Sequence, residues 1–232
     1  MITVVCWKWT QPGYRSIFQP YHVHTLRNMI RRNLQLPHRF VCITDDATGI
    51  NPQLVETMEL WREPNIVLPQ GKPNCYRRLR VFAEDARDWL GERILSIDLD
   101  AVITGDITPL VDVNDDFKIW GDTARNTAYN GGFWLLRAGT RTSVWDKFTN
   151  RAPRLTRSRG MVGSDQAWLS YCLGPRESRW TTDDGVYSFR NHMGSGTEPL
   201  PKDARVVFFH GKHDPWDPKI QEKSPWIKKY YR

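Results

Sequence analysis

Asp98 and Asp100 end an apolar, β-branched run, Arg93-Ile94-Leu95-Ser96-Ile97-Asp98-Leu99-Asp100-Ala101-Val102-Ile103. The run reads as a buried strand, and in extended chain a spacing of two places both carboxylates on one face. Two carboxylates at the end of a core strand repel each other unless a positive charge lies between them. A hard divalent cation such as Mn²⁺ or Mg²⁺ prefers carboxylate oxygens and meets that need. Taken alone, the pair is better explained as solvated aspartates at a polar strand end.

Three further segments change that balance. Tyr129-Asn130-Gly131-Gly132-Phe133-Trp134 sets an Asn and two glycines before an apolar run. Glycine lets a ligand approach the backbone, and Asn offers a donor and an acceptor to hydroxyls; the same letters also suit an Asn-Gly hairpin turn. Gly163-Ser164-Asp165-Gln166-Ala167-Trp168 reads as a helix N-terminus with Ser164 or Asp165 as cap. Phe208-Phe209-His210-Gly211-Lys212-His213-Asp214-Pro215-Trp216 places an imidazole after a core strand, then a lysine suited to a diphosphate.

The elements that must position these groups alternate. Strands are expected at 2–7, 40–44, 93–103, 117–120, 132–136 and 205–209, with a short one at 66–68 in a loop-like stretch. Helices are expected at 21–35, 75–89 (closed by Gly91) and 164–173, with an elbow around Pro109. This order predicts an α/β sheet with ligands at the carboxyl ends of its strands. With no repeat or linker, one domain over 1–232 is the simplest account. Residues 151–160 carry four arginines beside Pro and Gly, and read as an exposed, mobile basic loop.

Composition narrows the class. The 232 residues are 40% hydrophobic and 25% charged, ordinary for a soluble globular protein. No apolar run approaches the ~18 residues that span a bilayer, and Met1-Ile2-Thr3-Val4-Val5-Cys6 reads as a first strand rather than a leader. Four scattered cysteines without a Cys-x-x-Cys pair fit buried free thiols in a cytoplasmic protein. A net charge of +7 favours anionic partners: nucleotides, nucleic acid or an anionic membrane face. Trp216, Trp226, Tyr230 and Tyr231 beside Lys228, Lys229 and Arg232 could rest on the inner face of a membrane, or simply pack on the domain.

In this order the segments resemble the metal-dependent glycosyltransferases of the GT-A fold, most closely family 8, the glycogenin and lipopolysaccharide galactosyltransferase type. The resemblance covers about residues 75–216. It runs through Cys75-Tyr76-Arg77-Arg78-Leu79, Asp98-Leu99-Asp100 with Gly105-Asp106-Ile107-Thr108-Pro109-Leu110, Asn130-Gly131-Gly132, Asp165-Gln166 and the terminal His-Gly…Pro-Trp segment. It implies a single Rossmann-like mixed sheet flanked by helices. It implies that Asp100 and His210 ligate Mn²⁺ (Mg²⁺ as the alternative) and that Asp98 serves the metal and the donor ribose. Arg78, Asn130 and Gly131 would contact the donor sugar, Gly211 and Lys212 the diphosphate, and Trp7 to Thr10 the base. Asp165 and Gln166 would stand beside the reacting carbon. The resemblance further implies transfer from a UDP-sugar with retention of configuration.

Two departures stand out. The family's terminal segment usually reads His-x-x-Gly-x-x-Lys-Pro-Trp, whereas here the spacing is shorter and Asp214 precedes Pro215. The exit of the first strand offers Trp7-Lys8-Trp9-Thr10 in place of an acidic nucleotide contact. Arg154, Arg157 and Arg159 lie between the Asn130 and Asp165 motifs and could grip an anionic acceptor, a glycan or lipid-linked glycan. A DNA-modifying glycosyltransferase is the alternative acceptor class, and a non-catalytic polyanion-binding protein the alternative of another kind. A nucleotidyltransferase or a dehydrogenase would need a Gly-rich loop after a strand, which is absent. A glycoside hydrolase would set its carboxylates across a sugar.

Overall fold

The computed structural model describes residues 1–11, 13, 17–62, 74–121 and 126–232. The chain begins with β1 (Ile2–Lys8), α1 (Pro20–Asn33), β2 (His38–Thr44) and β3 (Glu56–Glu59). A 3-10 helix (Tyr76–Phe82), α2 (Ala86–Leu90), β4 (Arg93–Ile97), β5 (Ala101–Ile103) and α3 (Thr108–Val111) follow. Next come β6 (Phe117–Trp120), β7 (Asn130–Arg137), α4 (Ser143–Asp146), α5 (Ala152–Arg157) and α6 (Asp165–Leu173). The chain ends with β8 (Ser178–Trp180), β9 (Val186–Ser188), β10 (Val206–Phe208), α7 (Pro218–Lys223) and α8 (Trp226–Tyr230). The large sheet is mixed, in the order β3-β2-β1-β4-β7-β6-β8, and a small second sheet runs β5-β10-β9.

β1 shows why the large sheet is central. Val4 and Cys6 face one apolar layer with Val23, Leu26, Met29 and Ile30 of α1. Val5 and Trp7 face the other, with Tyr76, Leu79, Phe82, Trp168 and Leu169. Both faces are buried, as a parallel strand covered by helices requires, and each such side chain contributes roughly 1.5–3 kcal/mol. All four cysteines are free, Cys6 and Cys42 buried and Cys75 and Cys172 half-buried. No helix among the described residues is long and apolar enough to cross a membrane.

The structure departs from the expected elements in instructive places. Residues 75–89 are not one α-helix: a 3-10 turn comes first, because spacing of three puts Tyr76, Leu79 and Phe82 on one eclipsed face. Ala83 is then extended before α2, which ends at Gly91 with φ +79°. The strand 93–103 is broken: β4 stops at Ile97, and Ala101 N donates to the Asp98 carbonyl (3.2 Å) across a turn. The turn carries the chain from the large sheet to the small one, so the two aspartates are not on one face of a strand. Residues 151–160 are not a loop, since Ala152 and Thr156 on α5 are buried four residues apart. The 66–68 strand lies outside the described residues.

His22, on the first turn of α1, is buried between the rings of Tyr21 (3.9 Å) and Trp216 (4.0 Å). Its Nδ1 accepts from Gln19 N (2.7 Å) and burial pushes its pKa down to about 4. The unfolded chain takes up this proton near the ordinary value of about 6.5, the folded one only near 4. Stability from this site is therefore complete above pH 6.5 and is lost as pH falls towards 4, by about 2–3 kcal/mol at pH 4.5. Chemical denaturation at pH 7 and 4.5 should show this loss in wild type and not in His22→Phe; identical slopes in both would rule it out.

Candidate active site

The 3-10 helix buries its hydrophobic face and turns Arg78 towards the carboxyl end of β4. Arg78 Nη1 lies 2.7 Å from Asp98 Oδ1 and 3.7 Å from Asp165 Oδ2, and donates to the Gly131 carbonyl (3.3 Å). The indole of Trp9 covers the guanidinium at 5.6 Å. One buried cation thus joins four segments distant in sequence.

The glycines before β7 make this closeness feasible. A Cβ on Gly131 would stand 2.6 Å from Asp165 Oδ2, and one on Gly132 2.9 Å from Asp98 Oδ2. The space above them is taken by the protein's own carboxylates. Asn130 does not form a hairpin turn: it starts β7, and its Oδ1 accepts from Gly132 N (2.9 Å). Asp98 N donates to the Gly132 carbonyl (2.9 Å), which sews the aspartate turn to the same strand.

The electrostatics follow from burial. Desolvation lifts the Asp98 carboxyl to about 6 against the opposing pull of Arg78, and the nearby Asp165 adds to the rise. Asp165 is raised by its own burial in the same way. Burial alone would lower Arg78, but Asp98 and Asp165 outweigh it and hold the guanidinium above its ordinary value. Asp98 Oδ1 meets Arg78 without hydrogen-bond alignment, and Asp165 Oδ2 also lacks a hydrogen-bond partner among the described residues. Asp98 Oδ1 is thus answered by the ion pair, and Asp165 Oδ2 is a buried acceptor without a hydrogen bond among those residues.

The small sheet brings up the remaining residues. Phe209 N donates to the Asp100 carbonyl (3.1 Å), so His210 emerges beside the aspartate turn. His210 Nε2 is 2.7 Å from Ser188 Oγ, its ring stands edge-on to Trp120 (5.4 Å), and its charge draws the Asp98 carboxyl down. Gly211 follows at φ +97°, a left-handed conformation suited to glycine, and turns out the exposed Lys212. Asp98, Asp100 and His210 are a donor set suited to Mn²⁺ or Mg²⁺. Still, no three His, Cys, Asp or Glu side chains among the described residues form a ready metal cage. The positive charge that touches Asp98 here is Arg78.

Other expected residues lie at varied distances from this centre. Trp7 is buried in the core, its Nε1 donating to Ser96 Oγ (2.8 Å), so at the first-strand exit Trp9 is half-buried and Thr10 exposed. Thr10 N donates to Asp45 Oδ2 (2.9 Å), so an acid does reach this exit, from the end of β2. Gln166 is half-buried and donates weakly to the Val162 carbonyl (3.4 Å). Ser164 does not cap its helix: its Oγ accepts from Cys75 N (2.9 Å) and so locks α6 to the Arg78 segment. Arg154, Arg157 and Arg159 are exposed, Arg159 over the Tyr171 ring at 5.2 Å. The C-terminal aromatics Trp226, Tyr230 and Tyr231 pack on the core, while Lys228, Lys229 and Arg232 face outward. Asp45 and Ser188 are site neighbours that the motifs did not mark, whereas Trp9 lies in the first-strand exit expected to hold the base.

No family model matches the chain, and no curated protein matches it in sequence. Solved structures do. A galactosyltransferase, LgtC, solved with donor and acceptor sugar analogues, superposes with a TM-score of 0.59 at 13% identity, over 100% of this chain and 97% of LgtC. The apo form of the glycosyltransferase GlyE of Streptococcus pneumoniae TIGR4 gives 0.60 at 15% identity, over 98% of this chain and 63% of GlyE. The bifunctional glycosyltransferase WbbM gives 0.58 at 12% identity, with 98% and 50% covered. At such identities the likeness establishes architecture, and it agrees with a mixed seven-stranded sheet flanked by helices. The chain has the GT-A fold of these family 8-type glycosyltransferases.

Proposed function

We propose that this protein is a glycosyltransferase that moves a sugar from a nucleotide-diphosphate sugar, UDP-linked, to an acceptor hydroxyl. The observation that carries the reading is the convergence of Arg78, Asp98, Asp165 and the Gly131-Gly132 backbone at the carboxyl end of the GT-A sheet. That is where ligands bind in open α/β sheets, and Asp165 Oδ2 there has no hydrogen-bond partner among the described residues.

Asp98, Asp100 and His210 would hold a Mn²⁺ or Mg²⁺ ion. When bound, the ion supplies Lewis-acid stabilisation of the leaving diphosphate. The protein's own groups do the rest. Arg78 holds Asp98 and Asp165 in place and contributes fixed positive charge, while Lys212 offers a second cation to the phosphates. Asp165, kept close to Gly131, stands opposite the positive charge that grows on the anomeric carbon, and Gln166 orients the sugar beside it. Retention fits an acceptor that attacks from the face the diphosphate leaves, its proton passing to a phosphate oxygen.

A thermal-shift panel of UDP, GDP, CDP and their sugars, each with Mn²⁺ or with EDTA, tests the donor reading. A ligand at 100 times its dissociation constant stabilises by about 2.7 kcal/mol. The expected result is a clear shift for one nucleotide and its sugars, with Mn²⁺ only; a folded protein that responds to none sinks the reading.

The acceptor is proposed to be anionic, a phosphorylated glycan or lipid-linked glycan. Residues 147–164 hold five Lys/Arg and no Asp/Glu, and so carry five of the chain's seven net positive charges. α5 presents Arg154 and Arg157 to solvent next to α6, whose first turn bears Asp165. Replacing Arg154, Arg157 and Arg159 together with Ala is expected to lower transfer to such an acceptor at least tenfold while sparing slow donor hydrolysis. Equal loss of both activities would count against this placement.

A further inference from the structure

The C-terminus returns to the site. Helix α8 packs against β5, the strand that leaves the aspartate turn. Tyr231 N closes α8 by donating to the Ile227 carbonyl (2.8 Å), and Arg32 of α1 donates to the Tyr230 carbonyl (3.0 Å), which ties α8 to α1. The Tyr231 ring lies 6.2 Å from Trp216, itself packed on Phe18 and His22.

The phenol oxygen of Tyr231 is shut off from solvent and has no hydrogen-bond partner among the described residues. Burial, then Tyr21, Asp100 and Asp214 within electrostatic reach, push its pKa up, so the group remains a proton donor. A buried O–H with nothing to receive it is rare and unfavourable. Its neighbours include Asp100 of the aspartate turn and Asp214 and Trp216 of the His210–Trp216 segment, the two segments assigned above to the diphosphate end of the donor. A phosphate oxygen there would supply the missing acceptor.

We propose that Tyr231 is a donor-binding residue whose hydroxyl donates a hydrogen bond to a diphosphate oxygen of the bound nucleotide. The proposal rests on the donor site described under the proposed function. It extends that site to a residue beyond every motif in the sequence, and gives the C-terminal helix a role in holding substrate.

Calorimetric titration of the full chain and Tyr231→Phe with UDP, and separately with pyrophosphate, both with Mg²⁺ present, tests it. The variant should bind both ligands about tenfold more weakly, as loss of a hydrogen bond to a charged acceptor implies. Its unliganded Tm should be unchanged or higher, because an unsatisfied hydroxyl has gone. Equal affinity for UDP in the two proteins, or a lower Tm in the variant, would overturn the proposal. Pyrophosphate binding without UDP binding in wild type would instead overturn the nucleotide-sugar reading, and the pyrophosphate difference would still decide the role of the phenol. Binding of neither overturns both.

Discussion

Arg78→Ala is expected to destabilise the fold by about 3 kcal/mol at pH 7, the usual scale for removing one partner of a buried ion pair. Arg78 is 9% exposed and lies against Asp98, Asp165 and the Gly131 carbonyl. Alanine would leave two carboxylates facing each other in a site where burial already pushes both towards protonation. It would also strip the Gly131 carbonyl of this donor. Arg78→Lys keeps the charge but not the planar fork, so it should fall between alanine and wild type. Arg78→Ala combined with Asp165→Asn should recover part of the loss, because one of the opposed charges is gone. Urea denaturation of the four proteins measures this; a loss below about 1 kcal/mol for Arg78→Ala would show that the carboxylates need no cation.

Asp165→Asn should separate chemistry from folding. The substitution is nearly isosteric, so the close approach to Gly131 is preserved. It removes a buried charge that the fold disfavours, and stability should hold or rise. Sugar transfer is expected to fall about 10²- to 10³-fold, the scale for losing one preorganised electrostatic group, with UDP affinity within threefold of wild type. Transfer within tenfold of wild type would remove Asp165 from the reaction.

The sequence was most legible where burial imposes a strict period. β1, α1, β2, β6, β7 and α6 lie near their expected places: α1 through its one-sided apolar period, the others through short apolar runs buried in the core. It failed where the period is short or the element small. Tyr76, Leu79 and Phe82 fit a helix pattern loosely, but a spacing of three belongs to a 3-10 turn. β5, β8 and β9 have three residues each, too few to show alternation. The Asp98–Asp100 strand was misread because its change of sheet depends on β10, more than a hundred residues away.

For the site, Arg78, Asp98, Gly131 and Asp165, taken from separate motifs, meet in space. What the motifs concealed was how they meet. The two glycines also let the Asp165 and Asp98 carboxylates come close to the backbone, a packing that the motifs did not announce. They also gave no sign that Asp98 is in contact with a guanidinium from the 3-10 helix. The partners Asp45, Ser188 and Tyr231 belong to no motif, and only the packing of the chain brings them in.

The most direct test of the central claim is release of UDP from UDP-glucose and UDP-galactose, with Mn²⁺ or with EDTA, by wild type and by Asp100→Asn. The account predicts Mn²⁺-dependent release from one of the two sugars by wild type, abolished by EDTA and at least a hundredfold lower in the variant. Equal release by wild type and Asp100→Asn, or no release from any nucleotide sugar by a folded protein that also binds none, would contradict it.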